Sequence, residues 1–141
     1  MADHAHSTSD SALHVVIVTP EATVVDTSAD FVALPLADGE YGVAPLHSPM
    51  IGRLGYGELR IRSGGHVIRY YADGGFVQVN NNVVSVLTNR ALPAESLDTA
   101  IASESLRTAI GRRAAGPEEL AIRERLVSQA RGQLRVAERV R

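Results

Sequence analysis

Near Arg90 the hydrophobic period of this 141-residue chain changes, and that change restricts the fold to a sheet followed by helices. Before it, short β-branched runs are separated by turn residues. Leu13-His14-Val15-Val16-Ile17-Val18 ends at Thr19-Pro20-Glu21, and Thr23-Val24-Val25-Asp26 and Asp30-Phe31-Val32-Ala33-Leu34 follow. Glu58-Leu59-Arg60-Ile61-Arg62 alternates apolar and charged residues, which buries one face of a strand. Ser63-Gly64-Gly65 turns it into His66-Val67-Ile68-Arg69-Tyr70-Tyr71, a predicted hairpin. A second hairpin joins Phe76–Val79 to Val83–Leu87 across Asn80-Asn81-Asn82, since Asn tolerates positive φ. About ten short strands at this spacing predict a β-sandwich or barrel.

After Arg90 the chain is rich in Ala, Leu, Glu and Arg, all strong helix formers. Leu97, Ile101 and Ile110 predict one helix from about Ala94 to Arg112, closed by Gly111 and Gly116-Pro117. A second begins at Pro117, with Glu118-Glu119 at its positive end and Arg135, Arg139 and Arg141 at its negative end. Val127, Ala130, Leu134 and Ala137 form its apolar stripe. The expected class is therefore α+β: a polar, disordered terminus over 1–12, a β-sandwich over 13–90, and an antiparallel helical hairpin over 91–141. Both helices are expected to be short enough to need packing for stability.

Composition excludes several functions. No Cys is present, so there is no disulfide framework or thiolate metal site, in keeping with a reducing compartment. The net charge of −2 does not indicate nucleic acid as a partner. No apolar run reaches the roughly 20 residues needed to span a bilayer, and the N-terminus lacks a signal-peptide pattern. Residues 1–92 carry 5 Arg against 9 acidic residues (−4), and residues 93–141 carry 9 against 7 (+2). A mildly basic arm fits an acidic partner surface, and a solvated helix face explains the same counts.

Catalytic chemistry has no foothold in the motifs. Without a Lys the chain cannot complete a phosphate-binding loop, and its glycine pairs read as turns. His47, between Pro45 and Pro49, lacks a paired nucleophile and reads as a structural histidine. His4 and His6 form an H-x-H pair in a polar terminus, where no metal site is expected. Taken alone, Asp38-Gly39-Glu40 is a solvated β-turn.

Order and spacing of several motifs carry a resemblance. Leu13–Glu21 looks like an opening strand and turn. Asp38-Gly39-Glu40-Tyr41-Gly42-Val43-Ala44-Pro45-Leu46-His47-Ser48-Pro49 gives an acidic-Gly turn followed by Pro-x-His-small-Pro. Gly57–Ile61, Gly74–Val79 and Gln133–Glu138 follow in place. From about Leu13 to Glu138 this resembles the epsilon family of bacterial and chloroplast ATP synthases, which includes the mitochondrial delta subunit. Leu46 departs from the family's usual Gly.

The resemblance implies a non-catalytic part of the central stalk of a rotary, proton-translocating F-type ATP synthase, peripheral on the cytoplasmic face of the inner, energy-transducing membrane. It implies three partners: a gamma subunit, the membrane rotor ring of c subunits, and the catalytic alpha/beta head. Asp38, Glu40, Tyr41 and His47 would lie on the ring-facing loop. Arg123, Arg125, Arg131 and Arg135 would meet the head, where the C-terminal helices restrain ATP hydrolysis. No cofactor is implied. Family members that bind ATP on this subunit carry Arg where Ile101 and Gln129 stand here, so triphosphate charge would go uncompensated. Two further readings are a stand-alone β-sandwich adaptor for a peptide or sugar, which rests on fold analogy, and a nucleotide-binding module, which Ile101 and Gln129 disfavour.

Overall fold

A computed structural model describes residues 12–139. Eight strands come first: β1 (Leu13–Val18), β2 (Thr23–Ala29), β3 (Phe31–Leu36), β4 (Gly39–Val43), β5 (Met50–Ser63), β6 (His66–Asn80), β7 (Val83–Leu87) and β8 (Ala91–Pro93). A single 3₁₀ turn, Ala94–Ser96, leads to α1 (Thr99–Ile110) and α2 (Pro117–Arg139). The ladder runs β2-β1-β7-β6-β5-β3-β4, with β8 on β6. Every pairing is antiparallel except β1 with β7, which is parallel and begins at His14 opposite Val83.

One apolar core explains why this ladder closes into two layers. Val25 of β2 and Val32, Leu34 and Val43 of β3 and β4 come from opposite ends of the strand order, yet share one cluster with Leu59, Ile61, Val84 and Val86. A flat sheet could not bring its edges together, so the sheet folds over itself as a sandwich. The middle of β5 makes the bend. Leu54 points into the core, Leu59 and Ile61 do so on the opposite sequence parity, and the glycine-flanked Tyr56 lies between. The change of parity turns Glu58 towards the helices.

Both predicted hairpins are present. Ser63 pairs with His66 across Gly64 (φ 56°) and Gly65 (φ 87°), and Asn80 pairs with Val83 across Asn81 (φ 52°) and Asn82 (φ 63°). Among the described residues the strands number eight rather than about ten, because β5 and β6 run for 14 and 15 residues. The segments before and after the bend fuse there, since glycine allows a kink without ending the ladder. Gly75 is obligatory: its φ is 111°, and a Cβ would stand 1.9 Å from the Leu87 carbonyl oxygen.

The helical arm differs from expectation at its start. The helix expected from Ala94 begins at Thr99, because Asp98 is extended (φ −111°, ψ 123°) and caps it. Its carboxylate accepts from the N–H groups of Ala100 (2.8 Å) and Ile101 (3.1 Å). α2 is 23 residues long, so the expectation of marginal length applies to the 12-residue α1 alone. The buried face of α2 is Ala130, Gly132, Val136 and Ala137, while Val127 and Leu134 are half-buried. A second apolar cluster joins Val136 and Ala137 to Tyr71, Ala94 and Leu97, which seats the arm on the sandwich.

Candidate partner-binding site

The β3–β4 turn and the β4–β5 loop form one exposed end of the sandwich. Asp38, Gly39, Glu40 and Tyr41 are exposed and His47 is half-buried. The Tyr41 hydroxyl and His47 Nε2 lie 2.7 Å apart, and His47 Nδ1 meets the Ser48 carbonyl at 2.6 Å. The carbonyl can only accept, so the neutral ring is protonated at Nδ1 and takes the Tyr41 proton at Nε2. His47 is thus a brace for the loop, held between Tyr41 and the Ser48 carbonyl. Leu46, 84% exposed, adopts φ 69°, and its N–H donates to Asn82 Oδ1 at 2.6 Å. That bond offsets part of the cost of a left-handed conformation in a branched residue.

Glu40 is tied inward. Its carboxylate meets Arg60 at 2.6 Å, and Arg60 reaches on to Glu58 at 3.1 Å. The Glu58 side chain, 4% exposed, also takes Arg69 (3.3 Å) and Arg139 (2.9 Å). Burial pushes the Glu58 carboxyl up, but the hydrogen bonds from Arg60, Arg139 and Arg69 outweigh it and leave the group below its ordinary value. Burial pulls the Arg60 guanidinium down, and its bonds to Glu58 and Glu40 more than reverse this. Sequence alternation marked Glu58 and Arg60 only as the polar face of a strand. It carried no signal that Arg139, eighty-one positions away, completes the cluster.

A second buried carboxylate anchors the arm further along. Asp73 accepts from the Tyr71 hydroxyl (2.8 Å) and from Gln129 Nε2 at both oxygens (3.1 and 3.2 Å). Arg90 stands 3.8 Å away. Burial, reinforced by the Asp73 charge, pushes the Tyr71 hydroxyl pKa up, so it stays a donor. Gln129, read from sequence as a missing cation, is a docking residue. Between α1 and α2 a cleft of ≈ 710 Å³ is lined by Arg90, Ile101, Glu104, Arg112, Gln129 and Gln133. Ile101 sits at its mouth, 68% exposed.

The four arginines assigned to the head divide into two pairs. Arg123 donates to the Ile110 carbonyl (2.8 Å), and Arg135 reaches the Tyr56 carbonyl at 3.5 Å. Arg125 and Arg131 are exposed. Among the described residues no group of His, Cys, Asp and Glu is placed to hold a metal, and no helix is long and apolar enough to cross a membrane. His4, His6 and Arg141 lie outside the described residues, as do the first eleven positions of the terminus read as disordered.

Residues 12–94 match the family described as ATP synthase, Delta/Epsilon chain, beta-sandwich domain. An ATP synthase epsilon chain of Rhodopirellula baltica is 48% identical over 126 residues, covering 89% of this chain and 98% of the relative. Two solved structures share the fold. A chain from the Euglena gracilis mitochondrial ATP synthase (OSCP/F1/c-ring, rotational state 1) superposes with a TM-score of 0.73 at 23% identity, over 92% of this chain and 79% of that one. A chain from the central stalk/c-ring of the Tetrahymena thermophila mitochondrial enzyme gives 0.71 at 12% identity, over 89% and 96%.

Proposed function

The chain belongs to the ATP synthase delta/epsilon family, and from that premise we propose that it couples a membrane rotor ring and a gamma subunit to ATP synthesis in a rotary, proton-translocating F-type enzyme, without catalysing a reaction itself. The observation that carries this reading is the 48% identity to an epsilon chain across nearly that chain's whole length, which takes in both the sandwich and the hairpin. In this reading residues 13–90 are the rotor-binding domain and residues 91–141 a regulatory arm. The protein sits peripherally on the cytoplasmic face of the energy-transducing membrane. The exposed turn of Asp38, Glu40 and Tyr41, with His47 bracing it, meets the ring.

The arm restrains ATP hydrolysis by reaching the alpha/beta head. Its docked contacts support a division of labour among the arginines. Arg125 and Arg131 are available on the docked arm, whereas Arg123 and Arg135 must first leave the Ile110 and Tyr56 carbonyls. In this reading the chain does not bind nucleotide. The cleft between the helices has cations in Arg90 and Arg112, but Ile101 supplies none and Gln129 is held by the Asp73 carboxylate, an unfavourable neighbour for a triphosphate.

Affinity purification of the tagged chain from its native membranes tests the reading. Gamma and a ring subunit should accompany it in constant ratio. An unaccompanied monomer would refute the assignment. Titration of the isolated chain with ATP should show no saturable heat up to millimolar concentration, and a micromolar site would overturn the exclusion of nucleotide.

A further inference from the structure

The exposed turn at Glu40 and the last turn of α2 lie at the two ends of one series of charges. Arg60 lies between Glu40 (2.6 Å) and Glu58 Oε1 (3.1 Å), and Arg139 meets that same Oε1 at 2.9 Å. Arg69 occupies Oε2 at 3.3 Å. Arg60 and Arg69 are direct cross-strand partners, a like-charged pairing that is unfavourable unless a carboxylate lies between. Glu58 supplies it and, with its side chain 4% exposed, has little solvent to screen it.

Charge count then decides what happens if Glu40 is taken away. With Glu40, three guanidiniums face two carboxylates. Without it, the same three converge on one, and Arg60 competes fully with Arg139 for Oε1. The backbone that carries Arg60 and Arg69 stays beside Glu58, because it belongs to paired strands of the sheet. Arg139 can withdraw, because it ends a helix whose burial rests on small side chains. A cavity of ≈ 230 Å³ separates turn from helix end, lined by Glu40, Glu58, Tyr56, Arg135, Val136 and Arg139, so the series is open to an incoming group.

We propose that Glu40 is an input to arm docking: a basic side chain of a partner that pairs with the Glu40 carboxylate turns Arg60 fully onto Glu58, displaces Arg139, and releases the end of α2. Binding at the turn and docking of the arm are therefore antagonistic and, by linkage, reciprocally so. What supplies the cation rests on the turn being the partner-facing end. The relay itself is intramolecular, so the two ideas fail separately.

Amide hydrogen exchange on the isolated full-length chain tests it, because exchange reports rare openings of α2. Glu40→Gln neutralises the turn as a partner's cation would, at an exposed site where folding is unaffected. It should speed exchange at Gln133–Glu138 roughly 2- to 5-fold, the range expected for one partly exposed ion pair. Arg139→Gln should speed the same amides, and adding Glu40→Gln to it should then have no further effect. Unchanged exchange in Glu40→Gln, or an equal acceleration in the Arg139→Gln background, would overturn the proposal.

Discussion

Replacing Gly132 by Ala should raise the intrinsic helicity of α2 and yet detach it. A Cβ at Gly132 would lie 2.6 Å from the Tyr56 carbonyl oxygen and 2.9 Å from its carbon. Carbon–oxygen contacts normally settle at about 3.3–3.6 Å, so α2 must retreat by roughly 0.7 Å or more. Tyr56 cannot yield, since it is main chain in the middle of β5, paired with Asp73 of β6. The retreat loosens Val136 and Ala137 from Tyr71 and lengthens the Arg139–Glu58 contact. Overpacking of this kind costs about 1–3 kcal/mol, a factor of roughly 5 to 150 in the docking equilibrium. Ala also stabilises a helix over Gly by about 0.8–1.0 kcal/mol, but in docked and undocked helix alike, so it cancels from docking. Trypsin reads the result, since Arg125, Arg131 and Arg135 all lie on α2. Gly132→Ala should be cut there at least 5-fold faster than wild type, with helix content by circular dichroism unchanged or higher. Cleavage within 2-fold of wild type would refute the close approach as a constraint on docking.

Three further outcomes follow from the same contacts. The lowered Glu58 pKa means its contribution is present above the unfolded value near 4.5 and is lost as pH falls through the lower folded value; melts between pH 6 and 3 should lose arm stability in that window, and Glu58→Gln should abolish the dependence. Truncation after Pro93 removes Ala94, Leu97, Val136 and Ala137 from around Tyr71 but nothing from the main core, so the sandwich should fold and assemble at a modestly lower Tm while ATP hydrolysis by the assembled head rises or holds; loss of assembly would make the arm structural. Glu40→Arg should leave the isolated chain folded, because a surface change costs within about 0.5 kcal/mol, and should reduce ATP-driven proton pumping in reconstituted membranes; normal pumping would reduce Glu40 to a turn residue.

Local chemistry was readable and distant pairing was not. Gly64-Gly65 and Asn81-Asn82 announce their hairpins because positive φ is a property of the residues themselves. Asp98 before a helical run is an equally local signal, and it sets the start at Thr99 rather than Ala94. Glu58 is different. Its neighbours Leu59 and Ile61 mark it as facing away from the core, which normally means water, and only the arrival of α2 buries it. Gln129 and Asp73 are 56 positions apart, and neither residue type hints at the other. Of the exposed end of the sandwich, the turn at Glu40 was legible as a motif. The Tyr41–His47 brace and the strained Leu46 come from loop geometry that no periodicity encodes.

The parallel pairing of β1 with β7 fixes an order of events during synthesis. β1 leaves the ribosome well before β7, and His14 has no partner on that side until Val83 has followed it. Closing so long a loop is entropically costly and slow, whereas the β5–β6 hairpin closes over a two-residue turn. The hairpin is therefore the natural seed, and an emerging chain holds β1 with only its β2 partner until β7 appears. The arm is made after the sandwich, and it meets a surface that is already finished.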